Sequence, residues 1–352
     1  MLTPHPHRRD FLRLAGIATA AFAQDTPQWR TFQVVTRVEV LKPSGTTRIW
    51  VPAALSRETP YQRTISDTFQ CEGGKVRRVS EQHDSLGIIA AEFPAGVRPV
   101  ITVTSKIATR NISLTNHASK MTKPDFQHWT RSTKFIPTDG IVKENAIEIT
   151  RGAASDADKA RAIYEWIVDN TYRNPKTRGC GLGNIRFMLE SRDLGGKCAD
   201  LNALYVGLAR AAGLPARDVY GIRIAPSKLG YKSLGTSSDV VTKAQHCRAE
   251  VFLSGHGWVA VDPADVRKVM LEEPPGNRPI DDAMVKSARA RLFGSWEMNW
   301  MAYNFAHDVA LPGSAGKAVP FLMYPQAETG EAPIDSLDPD SFKYEIRSTE
   351  IS

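Results

Sequence analysis

The chain has 352 residues, of which 42% are hydrophobic and 24% charged, so it can bury a full core without a metal or disulfide framework, and its length suits two domains. Its 25 glycines and 22 prolines are ordinary for a globular protein and exclude a fibrous or disordered class. The formal charge of +7 contains no block of like charges that would mark a nucleic-acid-binding arm, and four cysteines, at 71, 180, 198 and 247, are too few for a disulfide scaffold.

At the start, His7-Arg8-Arg9-Asp10-Phe11-Leu12-Arg13 precedes an apolar run from Leu14 to Phe22 that ends in Ala21-Phe22-Ala23. Paired arginines, a short apolar run and small residues in an A-x-A arrangement are the parts of a cleaved twin-arginine export signal. Residues 1–23 are therefore expected to be removed, leaving a periplasmic or otherwise extracytoplasmic protein. Losing Arg8, Arg9 and Arg13 against Asp10 lowers the charge by two, from +7 to +5. No later stretch is apolar for long enough to make a membrane helix, so no integral membrane segment is expected in the mature chain.

Residues 24–113 favour short strands. Alternating and β-branched residues run through 32–40, 47–52, 87–93 and 100–107, separated by turn chemistry at Pro43-Ser44-Gly45, Glu72-Gly73-Gly74 and Pro94-Ala95-Gly96. This pattern predicts an antiparallel β-sandwich. Residues 114–150 contain Pro124 and Pro137 and no sustained period, and read as a connecting segment. Helical spacing begins after Ser155, a cap, and places Ala160, Ile163, Tyr164, Ile167 and Val168 on one face. The run Gly179-Cys180-Gly181-Leu182-Gly183 lacks the Lys-Ser or Lys-Thr and the preceding strand of a phosphate loop, and reads as a tight loop beside a cleft.

Gly195-Gly196-Lys197-Cys198-Ala199-Asp200 then opens a helical pattern of Leu201, Leu204, Tyr205 and Leu208, closed by Gly213 and Pro215. Cys198 is thus expected in the first turn of a core-facing helix, where unpaired N–H groups and the dipole favour thiolate, the nucleophilic form. Downstream, 245–253 and 258–262 read as a hairpin across Ser254-Gly255-His256-Gly257. Cys247, Ala249, Val251, Leu253, Val259 and Val261 share an apolar face, so His246 and Asp262 project from the opposite one. A thiolate, an imidazole that carries its proton and a carboxylate that orients the imidazole form an acyl-transfer triad. The Cys198 N–H is the candidate oxyanion donor. His307 follows the aromatic cluster of Trp296, Trp300, Tyr303 and Phe305, for which core packing is favoured over lining a cleft.

Four ordered elements carry a resemblance: Gly196-Lys197-Cys198-Ala199-Asp200, Gly213-Leu214-Pro215-Ala216-Arg217, His246 with Glu250, and Gly257-Trp258-Val259-Ala260-Val261-Asp262-Pro263. Over residues 150–265 the chain resembles the transglutaminase-like superfamily of papain-related thiol enzymes. The resemblance implies an α+β fold, with the N-terminal β-sandwich followed by a transglutaminase-like catalytic domain over 151–352 that contains an antiparallel sheet and a C-terminal extension. It implies Cys198, His246 and Asp262 as catalytic residues, no cofactor or metal, and a peptide, protein or cell-wall peptide as substrate. Peptide or amide hydrolysis comes first, because protein-glutamine cross-linking needs a second, amine-selective site that the sequence does not reveal. An inactive peptide-binding or structural module is the third alternative. Cys247 stands where the family often has a small residue. It leaves open a Cys180–Cys247 disulfide or a metal held by Cys198, His246 and Cys247, although strand alternation favours a buried thiol.

Overall fold

A computed structural model describes residues 28–116, 119–330 and 332–352, so the export-signal reading of residues 1–23 lies outside the described residues. The chain begins with β1 (Arg30–Val40), β2 (Thr47–Pro52), β3 (Gln62–Cys71), β4 (Lys75–Glu81), β5 (Leu86–Phe93) and β6 (Val100–Thr109). Their alternation buries Val38, Val40, Ile49, Val51, Ile89, Phe93, Ile101 and Val103 in one core between two sheets. This is the expected sandwich. The strands not singled out in the sequence, β3 and β4, lie at the sheet edges, flank the Gly73-Gly74 turn and are largely solvated.

The middle of the chain carries α1 (Lys123–Thr130), α2 (Gly140–Ile149), α3 (Asp156–Asn170), β7 (Tyr172–Arg173), α4 (Ile185–Ser191), β8 (Gly195–Gly196) and α5 (Cys198–Ala211). After it come β9 (Ala216–Arg223), β10 (Arg248–Leu253), β11 (Gly257–Val261), α6 (Pro263–Glu272), α7 (Ala283–Arg291) and β12 (Trp300–Asn304). The second sheet system is antiparallel, in the order β11-β10-β9-β12. All 14 residues of α5 are buried, which makes it the central helix, packed on β9, β10, α2, α3 and α6. The α3 cap and apolar face are as expected: Ser155 accepts the Asp158 N–H at 3.1 Å, and Ala160, Ile163, Tyr164, Ile167 and Val168 are buried.

Two parts of the sequence-based division differ from the structure. Residues 114–150 are not a bare connector. Pro124 sits in the first turn of α1, where its missing N–H costs nothing, and Thr122 caps that turn through the Asp125 N–H at 3.2 Å. Helix α2 buries Val142 and Ala146 against α3, α4 and α5. The C-terminal extension does not stay with the catalytic domain either. Strands β13 (Gln326–Thr329), β14 (Ala332–Ile334) and β15 (Phe342–Glu350) return to the sandwich, giving sheets ordered β15-β1-β6-β3 and β14-β13-β2-β5-β4. Long-range strand pairing of this kind satisfies the free edges of β1 and β2, and no local pattern reports it. No helix among the described residues is long and apolar enough to cross a membrane.

Candidate active site

The site begins where the two glycines of β8 run into α5. Cys198 is the first helical residue. The Lys197 N–H donates to Asp200 Oδ2 at 3.0 Å, the return half of a capping box. Asp200 Oδ1 accepts the N–H groups of Leu182 and Gly183, each at 3.0 Å, so the same carboxylate clamps the glycine-rich loop onto the helix start. Gly181 has φ +94°, and a Cβ there would fall 1.9 Å from Asp200 Oδ2, which explains why this loop is built from glycine. The clamp brings the Cys180 carbonyl onto the Ala199 N–H at 3.0 Å. Cys180 thereby enters the site.

His246 lies just before β10, held at both backbone ends. Its N–H donates to the Gly221 carbonyl at 3.0 Å, and its carbonyl accepts the Trp300 indole N–H at 2.8 Å. Asp262 follows β11 and caps α6, accepting the Asp265 N–H at 3.1 Å on Oδ1. Its Oδ2 lies 2.8 Å from His246 Nε2. Asn202, one turn into α5, donates to the Cys247 carbonyl at 2.9 Å and to Asp262 Oδ1 at 3.3 Å, which ties the Cys198 helix, the His246 segment and Asp262 together. With Nε2 engaged, Nδ1 is the ring nitrogen left for the thiol, and His246 and Cys198 line the same cavity. The three residues picked from sequence are therefore neighbours, all buried: Cys198 and His246 are 4% exposed and Asp262 0%.

The surroundings bias the proton. The neighbouring Cys180 thiol, then the Cys247 thiol, hold Cys198 well below an ordinary thiol against the effect of burial, with His246 adding to the same shift. Burial and Arg223 push the His246 imidazolium towards losing its proton, but Asp265 and Asp262 outweigh them and raise its pKa to about 9. Thiolate and imidazolium are thus the favoured pair. Burial raises the Asp262 carboxyl. Asp265 is opposed by burial yet driven well down by Arg223, whose terminal nitrogen holds both its oxygens at 2.6 and 2.8 Å.

A cavity of about 310 Å³ opens over Cys198, lined also by Cys180, Gln245, His246, Lys197 and Lys243. His246, Asp262 and Asp265 offer donor atoms within 4.8 Å of one another. Those donors are already committed to one another, to Asn202 and to Arg223, and the Arg248 guanidinium lies 3.6 Å from Asp262, so the set is a poor fit for a cation.

Among known proteins, the core pattern of the transglutaminase-like superfamily matches residues 143–263. An uncharacterized protein of Haemophilus influenzae is 35% identical over 328 residues, 87% of each chain. The chain belongs to the transglutaminase-like superfamily. A solved candidate cysteine protease from Cytophaga hutchinsonii is similar in fold over 92% of each chain, with a TM-score of 0.57 and 14% identity.

Within this superfamily frame, several side chains at the site escaped sequence reasoning. Asp265 lies 3.4 Å from His246 Nε2; its signal was the Asp262-Pro263-Ala264-Asp265 spacing of a helix start. Asn202 had none beyond its place one turn after Cys198. Trp300 belongs to the aromatic cluster, which is packed core as favoured, yet its indole also fixes the His246 carbonyl. The face carrying His246 is not open, because Arg248 and Glu250 on β10 are buried as well, Glu250 paired with Arg217 at 2.6 Å. His307 pairs with Asp218 at 3.0 Å. Cys180 and Cys247 are free thiols in the structure, and the Cys180 thiol donates to the Gln245 carbonyl at 3.4 Å.

Proposed function

We propose that the protein is an exported thiol hydrolase that cleaves a peptide or amide bond by acyl transfer to Cys198. The observation that carries this reading is the buried His246–Asp262 pair, Oδ2 2.8 Å from Nε2, on the same cavity as Cys198 at its helix start. The thiolate attacks the scissile carbonyl carbon, and negative charge on the carbonyl oxygen is received by the Cys198 N–H at the helix start. As the tetrahedral intermediate collapses, the His246 imidazolium gives its proton to the departing amine and a thioester remains. Neutral His246 then takes a proton from water, which attacks the thioester; the acid leaves and the thiolate and imidazolium return. Asp262 keeps the ring oriented throughout.

The test is to profile the purified mature protein against peptide and cell-wall peptide libraries with and without a primary amine, beside Cys198→Ala. Hydrolysis lost in the variant supports the reading. Amine incorporation outpacing hydrolysis would move it to cross-linking, and identical profiles for the two proteins would leave an inactive module. Export is tested separately, since Arg8→Lys with Arg9→Lys should trap the unprocessed chain in the cytoplasm.

A further inference from the structure

The cavity over Cys198 has a one-sided charge. Arg173, Lys197, Arg223, Lys243 and Lys268 line it, and no carboxylate among the described residues does. The local acids neutralise only part of this. Asp265 is taken by Arg223 through two hydrogen bonds. Glu272 is shared by Arg173 and by Lys268, whose amine lies 3.7 Å away, so one carboxylate faces two cations. Among the described residues the lysine salt bridges are those of Lys159 with Asp156 and Lys268 with Glu272, so Lys197 and Lys243 have none. Asp200, beside Lys197, has its oxygens committed to backbone N–H groups. Burial, with Arg223 acting in the same direction, lowers Lys268 to about 8.

Gln245 and Thr236 add neutral polar side chains to the same wall.

We infer that the substrate is an acidic peptide, with a carboxylate beside the scissile bond that seats among the cavity's lysines and its Gln245 and Thr236 side chains. This rests on Cys198 being the nucleophile of the proposed function. A carboxylate in that position draws the substrate into a narrow basic cleft and places the scissile carbonyl over the sulfur.

The test uses two alkylators of nearly equal size, anionic iodoacetate and neutral iodoacetamide, on the full mature chain, with Cys71 outside the cavity as internal reference. The ratio of iodoacetate to iodoacetamide labelling rates at Cys198 should exceed that at Cys71 by about tenfold or more, and should shrink as salt is added. Because the His246 imidazolium attracts iodoacetate by itself, the lysines are tested directly. Lys197→Gln with Lys243→Gln should lower the ratio at Cys198 by about fivefold. Equal ratios at the two cysteines, or a ratio indifferent to the lysines, would overturn the acidic substrate while leaving the nucleophile intact. Slow labelling of Cys198 by both reagents would remove the nucleophile, and the acidic-substrate proposal with it.

Discussion

Asp265 Oδ2 stands 3.4 Å from His246 Nε2, the nitrogen that Asp262 already holds at 2.8 Å, so one imidazole faces two carboxylates. The second is itself held by the buried Arg223. Asp265→Asn should therefore act twice. With one raising charge gone, the His246 pKa should fall below about 9, moving the alkaline limb of the pH–activity profile to lower pH by about a unit. Arg223 would be left buried without its partner, costing about 3–5 kcal/mol of stability in urea denaturation. A limb that stayed in place would mean that Asp262 alone sets the imidazole.

Cys198 also links stability to pH. Its folded value lies well below the 9.0 of a free thiol, so its contribution is whole above about pH 9 and is lost as pH falls towards the folded value. The stability difference between the native protein and Cys198→Ala should widen as pH rises towards 9 and level off above it. His246 runs the other way. Raised from 6.5 to about 9, it contributes fully below pH 6.5 and loses that contribution as pH rises through about 9. Denaturation curves at several pH values check both slopes, and a Cys198 difference independent of pH would refute the thiolate.

Gly181→Ala tests the clamp on the nucleophile helix. The added methyl group would meet Asp200 within 1.9 Å at a backbone φ of +94°, so loop and carboxylate cannot keep their present positions. A loss of about 2 kcal/mol or more is expected, together with slower alkylation of Cys198 as Cys180 is displaced. Gly152→Ala is a useful control, since its φ of +82° carries similar strain but nothing lies within 4 Å of the new Cβ. Equal behaviour of the two variants in stability and alkylation would reduce the Gly181 effect to backbone strain.

Removing residues 326–352 should cripple the sandwich rather than trim a tail. The shortened chain loses β15 from the side of β1, where nine residue pairs from Phe32↔Glu350 to Val40↔Phe342 are matched, and loses β13 from the side of β2. Two long strand edges and the sites of Phe342 and Ile346, both buried, would be opened to water. Insolubility or a collapsed denaturation transition is expected. A soluble chain with an unchanged midpoint would show the returning strands to be dispensable.

Local chemistry was enough to read much of this protein from its sequence. Ser155 marked a helix start, alternation over 32–40 and 47–52 marked strands, and the positions of Cys198, His246 and Asp262 relative to helix and hairpin limits brought out three groups that the fold makes neighbours. Each depends on periods of two or 3.6 residues and on capping or turn residues, which operate within a few positions. What only the tertiary structure decided depends on contacts between distant segments. Pairing of β15 with β1 joins residues about 300 positions apart, and nothing in either strand names its partner. The same holds for Trp300 on the His246 carbonyl, for Cys180 beside Cys198 and for the lysines gathered from three segments around one cavity. Sequence separation hides such groups because their proximity is a property of packed helices and sheets, and it exists only once the chain has closed on itself.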